Sequence, residues 1–172
     1  MKTVNHQQGT DAWLEHRANH HNASDAPAMF GVSPYETRQQ LLHRCHTGEQ
    51  REISPQLQRV FDKGHEVEAL TRPIAQEIVG DDLFSATATD DQGWLSASFD
   101  GVTMDERVIW ECKQYNKAKF AEVEAGRCPE QDYPQVQQQL LISGAEKCLY
   151  SVGDGTKEGT RTTWVEPDSD YQ

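Results

Sequence analysis

Residues 96–113 read SASFDGVTMDERVIWECK, and the fold follows from how this stretch bends back on itself. In Arg107–Lys113, RVIWECK, the β-branched and aromatic side chains favour a strand. Side chains on a strand alternate between its two faces. Glu111 and Lys113 therefore share one face, and Cys112 points to the other. A turn through Asp105-Glu106 sends the chain back, so that Asp100 on the preceding strand approaches the same face. Two carboxylates and one lysine then converge at one end of a small sheet.

That grouping suits phosphodiester hydrolysis. Hard anionic oxygens bind Mg²⁺ or Mn²⁺, and such an ion activates water and offsets the charge of the phosphate under attack. An ammonium group beside it orients the water and stabilises the developing negative charge. The spacing D-x10-E-x-K resembles the catalytic core of the PD-(D/E)xK nuclease superfamily, with Ser98-Phe99-Asp100 standing where Pro-Asp often stands. The spacing alone is weak, because 28 of the 172 residues are acidic. Its plain alternative is a turn at Asp100-Gly101 and a charge pair on an exposed strand.

Composition narrows the class. A chain of 172 residues fits one domain, 1–172, with a genuine core. No apolar run approaches the roughly 18 residues that a membrane helix needs. The polar start MKTVNHQQGTDAW does not read as a secretory signal. Cys45, Cys112, Cys128 and Cys148 are scattered and include no C-x-x-C pair, which argues against a zinc ribbon or a disulfide framework. The formal net charge of −12 disfavours broad, non-specific coating of nucleic acid. A nuclease with this balance needs a local basic lining on an acidic body.

Along the chain, Thr10 can cap a helix carrying Trp13, Leu14 and Arg17 that ends near Asn19–Ala23. Ser24 can cap a short helix from Asp25 to Phe30, closed by Gly31. Ser33-Pro34-Tyr35-Glu36 reads as a capping box opening a helix that runs to His46 and stops at Gly48. Ser54-Pro55 opens the next helical stretch, which resumes after Gly64 and reaches Val79-Gly80, with a bend expected at Pro73. Glu66 and Glu68 lie two apart, so only one of them can face a shared site. From Leu83 the period shortens to two, predicting strands at Leu83–Thr89, Trp94–Met104 and Arg107–Tyr115. A helix at Ala118–Ala125, a second at Asp132–Ser143, and strands at Lys147–Val152 and Thr160–Val165 complete the reading. This is an α+β domain with a mixed central sheet and a polar tail, PDSDYQ. The histidines His16, His20, His21, His43 and His46 lack a ligand spacing and read as surface residues. Arg17 and Ser24 have plain alternatives, a solvated helix residue and an N-cap. Together they also make a good seat for a phosphate.

Five short motifs in order carry a resemblance that covers Trp13 to about Gly153. They are Trp13 with Arg17 and Ser24; Gly64-His-Glu-Val-Glu68-Ala69; Ser98-Phe-Asp100-Gly101; Glu111-Cys-Lys113; and Tyr133-Pro-Gln135-Val-Gln137 followed by an apolar helix. The set resembles the YqaJ-type phage recombination exonucleases, the family of lambda exonuclease. The resemblance implies a restriction-endonuclease-like α+β core, with Asp100, Glu111 and the backbone carbonyl of Cys112 as metal ligands and Glu68 at the metal site. It implies Lys113 as the catalytic lysine, Gln135 as the active-site glutamine, and Arg17 and Ser24 as holders of the terminal 5′-phosphate of DNA. It further implies one or two Mg²⁺ per site (Mn²⁺ as substitute), a homotrimeric ring on double-stranded DNA ends, a single-strand annealing protein as partner, and the bacterial cytoplasm as location. Two rivals are a Cas4-like nuclease, disfavoured by the wide cysteine spacing, and a non-catalytic DNA-end-binding protein, disfavoured by the intact Asp100, Glu111 and Lys113.

Overall fold

The computed structural model describes residues 1–6, 8–49 and 53–171. The elements are β1 (Lys2–Val4), α1 (Asp11–Ala18), β2 (His21–Asn22), a 3₁₀ turn at Ala23–Asp25, α2 (Ala26–Met29), α3 (Arg38–Thr47) and α4 (Pro55–Val79). Then come β3 (Phe84–Thr89), β4 (Leu95–Val102), β5 (Val108–Gln114), α5 (Lys117–Glu124), α6 (Tyr133–Ser143), β6 (Lys147–Gly153) and β7 (Arg161–Val165). The result is an α+β domain around one mixed sheet in the order β1-β3-β4-β5-β6-β7, with β2 against β4.

The sheet is built from the expected meander and one crossover. β3, β4 and β5 pair antiparallel in sequence. The turn between β4 and β5 is held by Thr103, whose Oγ1 donates to Asp105 and accepts the Val108 N–H, and Glu106 takes a left-handed φ of 59°. β5 and β6 are parallel, so the chain must cross over, and α5 and α6 make that crossing. β7 returns antiparallel beside β6. The core is packed from fully buried Phe99, Ile109, Trp110, Val136, Leu140, Leu149, Tyr150 and Val152. Trp110 satisfies its indole N–H on Ser151 Oγ at 2.9 Å.

One irregularity of the sheet decides where the site lies. β4 and β5 pair only at Gly101↔Trp110 and Val102↔Ile109. Beyond Gly101 the two strands part, and β2 takes over as the neighbour of β4 at Leu95 and Ser96. The carbonyls of Ser96 and Ser98 receive the side-chain amides of Gln138 and Gln139 from α6. Glutamines on a buried helix face thus satisfy strand groups near the fork.

Several local expectations are corrected. The capping box belongs to Thr37 and Gln40, not to Ser33 and Glu36. Ser33 Oγ accepts the N–H groups of Tyr35 and Glu36, but the Glu36 carboxylate turns to Arg44 and cannot reach back to close the box. Ser24 caps no helix; it sits inside the 3₁₀ turn, and its hydroxyl accepts from Arg17. The stretch 55–79 is one continuous helix that includes Gly64 and Pro73. His16 is buried rather than at the surface, bonded to Ser96 Oγ at 2.8 Å and stacked on His20 at 4.0 Å. The three-residue strand β1 at Lys2–Val4 falls in a stretch read only as polar. The tail is strapped down: Tyr171 stacks on Phe30 and meets Tyr133 edge-on, and Asp168 accepts the Tyr133 hydroxyl.

Candidate active site

Glu111 is the centre of the site. It lies on β5, 3% exposed, with one oxygen, Oε1, accepting Lys113 Nζ at 2.5 Å and Gln135 Nε2 at 2.7 Å. Its other oxygen accepts Gln139 Nε2 at 2.7 Å. Lys113 also donates to Gln135 Oε1 at 3.1 Å, so Glu111, Lys113 and Gln135 form a closed triangle. The alternation of β5 puts Glu111 and Lys113 on one face, and the first turn of α6 brings Gln135 over them. Gln139 stands one helical turn further along the same face.

Asp100 reaches the cluster from β4, just where the strands part. Its Oδ2 accepts the backbone N–H of Cys112 at 2.7 Å, in place of the ladder bond that the fork removes. Burial pushes the Asp100 carboxyl well above the usual carboxylate range, and the charges of Glu111 and Glu68 push it further. Glu68 therefore faces this site from α4, held by Arg72 Nη2 at 2.7 Å one turn along. Arg72 is itself fixed by the Leu83 carbonyl and Ser85 Oγ, with its guanidinium over the Trp110 ring. Glu66 points elsewhere, to Lys63 on the exposed side. For Lys113, burial acts downward, but the carboxylates of Glu111, Asp132 and Asp100 outweigh it and keep the amine protonated well above neutral pH. The Cys112 thiol, on the opposite face, is pushed up by burial and then by Asp100, so it stays a protonated, unreactive thiol.

Whether these residues fit a divalent ion can be judged from their charge. Three carboxylates, Asp100, Glu111 and Glu68, meet at a partly buried point, and Asp100 is protonated more readily because of the other two. A cation relieves that repulsion. Among the described residues no group of three or more His, Cys, Asp or Glu side chains is placed to hold a metal ion by itself, so an ion here would take the rest of its ligands from backbone and water. An open carboxylate set is what Mg²⁺ prefers, since it keeps several of its waters. The donor chemistry, hard carboxylate oxygen with room for water, is of the kind that a divalent ion takes.

Arg17 and Ser24 are brought together: Arg17 Nη2 donates to Ser24 Oγ at 2.8 Å. The Arg17 guanidinium lies 4.7 Å from the centre of the Trp13 ring, and burial lowers its pKa from the ordinary arginine value. Among the described residues it makes no ion pair, unlike Arg44, which is tied to Glu36 and Asp25. Trp13 Nε1 donates to Ser98 Oγ at 3.0 Å, two strand residues from Asp100. Through Trp13 the pair is thus joined to the stretch of β4 that carries Asp100.

Reading the sequence missed two parts of this site and one buried pair beside it. Gln139 and Arg72 each sit four residues from a residue that was singled out, Gln135 and Glu68, and the helical period was the available signal. The third is a buried ion pair, Lys119 Nζ to Asp132 Oδ2 at 2.7 Å, with the Tyr150 hydroxyl also on Asp132.

This carboxylate–lysine–glutamine fork lies on a mixed sheet flanked by helices, and comparison with known proteins places that fold among exonucleases. Residues 12–146 match the YqaJ-like viral recombinase domain, and the chain belongs to that family. The alkaline exonuclease LHK-Exo from Laribacter hongkongensis superposes with a TM-score of 0.72 at 22% identity, covering 94% of this chain and 84% of that one. Its complex with dAMP gives a TM-score of 0.73 at 21% identity, covering 94% and 85%. A phage-related exonuclease from Haemophilus somnus 129PT gives 0.62 at 11% identity, covering 88% and 86%. These likenesses establish the restriction-endonuclease-like fold. No curated protein sequence matches the chain.

Proposed function

We propose that this chain is a Mg²⁺-dependent exonuclease of a phage-type recombination system, acting 5′ to 3′ on double-stranded DNA ends. The observation that carries the reading is the meeting of Asp100, Glu111 and Glu68 with Lys113 and Gln135 at the fork between β4 and β5. Asp100, Glu111 and the Cys112 carbonyl, with Glu68 beside them, would hold one or two Mg²⁺ (or Mn²⁺). When bound, such an ion polarises water and offsets phosphate charge.

The chain's own residues supply the rest. Arg17 and Ser24 receive the terminal 5′-phosphate; among the described residues Arg17 makes no direct ion pair, and Asp25, the carboxylate that acts on it, is itself tied to Arg44, which leaves the guanidinium open to an incoming phosphate. Lys113 stays protonated beside Glu111, ready to donate to a phosphate oxygen as negative charge builds there. Gln135 bonds both Lys113 and Glu111 and fixes their relative orientation, which limits the geometries open to the attacking water. Mononucleotides leave one at a time, and the 3′-ended strand passes to a single-strand annealing protein. A homotrimeric ring in the bacterial cytoplasm suits the net charge of −12: few cations line a channel while the exterior stays acidic.

The test is digestion of linear duplex DNA with and without a 5′-phosphate in Mg²⁺. Faster loss of the phosphorylated strand, abolished in Lys113→Ala, is expected. Digestion indifferent to the 5′-phosphate removes the Arg17–Ser24 seat. No digestion by the intact protein removes the nuclease reading in favour of an end-binding protein.

A further inference from the structure

Gln139 belongs to none of the motifs that mark the site, yet it is 1% exposed and touches Glu111. Both hydrogens of its amide are committed, one to Glu111 Oε2 at 2.7 Å and one to the Ser98 carbonyl at 3.1 Å. Its Oε1 is buried with no partner. An orphaned buried acceptor is unfavourable, and a methionine or leucine would fill the same volume without one. What a glutamine adds here is the pair of donors that joins Glu111 to β4.

The other end of that link is the phosphate seat. Ser98 accepts the Trp13 indole N–H on its hydroxyl at 3.0 Å while its carbonyl accepts from Gln139. The face of Trp13 carries Arg17, and Arg17 holds Ser24. The path runs from α1 through β4 and α6 to β5 without a gap: Ser24, Arg17, Trp13, Ser98, Gln139, Glu111.

We infer that Gln139 is a positioning residue that couples occupancy of the Arg17–Ser24 seat to the placement of Glu111, so that a 5′-phosphate speeds hydrolysis as well as binding. This rests on the exonuclease reading above and adds to it a route by which the two ends of the site sense each other. A phosphate that draws Arg17 draws Trp13 with it. Trp13 shifts Ser98, and the Ser98 carbonyl resets the amide that grips Glu111. Coupling of this kind is an energetic dependence between the residues, which a double-variant comparison measures directly.

The experiment compares initial rates on two linear duplexes that differ only in a 5′-phosphate or a 5′-hydroxyl, for wild type, Gln139→Met, Trp13→Phe and the double variant. Methionine keeps the volume of Gln139 and removes both donors. Phenylalanine at the half-buried Trp13 removes the N–H to Ser98 and leaves Glu111 untouched. Each single change is expected to shrink the phosphate-to-hydroxyl rate ratio by about tenfold, the lower end of the range for loss of a supporting partner. The loss should fall in kcat and leave KM for phosphorylated DNA unchanged. The double variant should be no worse than the singles, since both cut one path. Equal slowing on both kinds of end by Gln139→Met, or ratios that multiply in the double variant, would overturn the coupling. Should Gln139→Met fail to fold, Trp13→Phe with a full phosphate advantage overturns it equally. A wild type active on both ends without preference refutes the coupling and the seat together, whereas an inactive wild type refutes the exonuclease reading itself.

Discussion

Breaking the buried Lys119–Asp132 pair should cost more than any other single polar change outside the site. Asp132 stands at the start of α6 but does not cap it. Its carboxylate instead takes Lys119 Nζ from α5 at 2.7 Å and the Tyr150 hydroxyl from β6 at 2.5 Å. Both charged residues are under 10% exposed, at 8% for Lys119 and 7% for Asp132. Asp132→Leu leaves an ammonium buried without its counter-charge and a tyrosine hydroxyl unpaired. Removing one partner of such a pair costs about 3–5 kcal/mol. For a chain of this size roughly 2–4 °C of Tm goes with each kcal/mol, so the melting point should fall by about 6–20 °C. Lys119→Met should sit at the low end, because the Tyr150 hydroxyl still donates to the remaining carboxylate. The double variant Lys119→Met/Asp132→Leu replaces the pair with apolar bulk, and such replacements are often neutral or stabilising. It should recover most of the loss. Circular-dichroism melts of the three variants in metal-free buffer decide the matter. A double variant that falls as far as the two singles combined would show that the cost comes from packing and not from an uncompensated charge.

Three further outcomes follow from the same geometry. Asp100→Asn should raise Tm at neutral pH in metal-free buffer while abolishing activity. The folded-state pKa of Asp100 is raised by burial and by Glu111 and Glu68, so the wild type loses stability as pH rises above the unfolded value of about 3.9; the advantage of the variant should vanish below that pH in a melt series. His16 has the opposite sign: burial and then the neighbouring His20 and His6 hold its pKa below 6.5, so its neutral form supports the fold above about 6.5 and that support is lost as pH falls. His16→Gln, which can still bond Ser96 Oγ, should flatten the decline in Tm between about pH 7 and pH 5; an unchanged slope would place the acid sensitivity elsewhere. Gly101→Ala would set a Cβ 2.9 Å from Leu83 Cβ and 3.0 Å from Trp110 Cε3. Overpacking of that kind costs about 1–3 kcal/mol, read by urea unfolding, and the shift of Asp100 next to it should lower the nuclease rate as well.

What could be read from the sequence was local or periodic. The meander showed through its period of two, because each strand buries one face. The joint face of Glu111 and Lys113 followed from the same alternation. Glu68 could be preferred to Glu66 only through the motif; in the structure Arg72, one turn on, pairs with the half-buried Glu68, while Glu66 pairs with Lys63 on the exposed side. The errors arose where two equally good local signals competed. Ser33 and Thr37 both precede a residue able to close a capping box, and the choice was made by Arg44, which claims Glu36 from two turns away. Lys119, Asp132 and Tyr150 meet from three elements of the crossover, and no spacing announces a contact that exists only after the parallel pair forms. The same holds for Ser98, which was singled out only as part of the motif around Asp100 and proves to join α1, β4 and α6.

Charge gives the last constraint on how such a protein holds DNA. It has 16 lysines and arginines against 28 acidic residues, and among the described residues nine of those cations are already in ion pairs. Duplex affinity from counterion release scales with the number of phosphates neutralised, at a slope of about −0.9 per phosphate in log K against log salt. With nine of the 16 paired, at most seven cations per chain stay uncommitted, and they face a large acidic excess, so closed circular duplex, which offers phosphates but no end, should bind more weakly than linear duplex. On the exonuclease reading proposed above, the added affinity comes from the end itself, through a terminal phosphate placed on Arg17 and Ser24, or from enclosure by several copies of the chain. Either source makes binding depend on an end and little on salt. A steep salt dependence on circular DNA would mean that a basic surface, and not the fork between β4 and β5, governs how this protein meets its substrate.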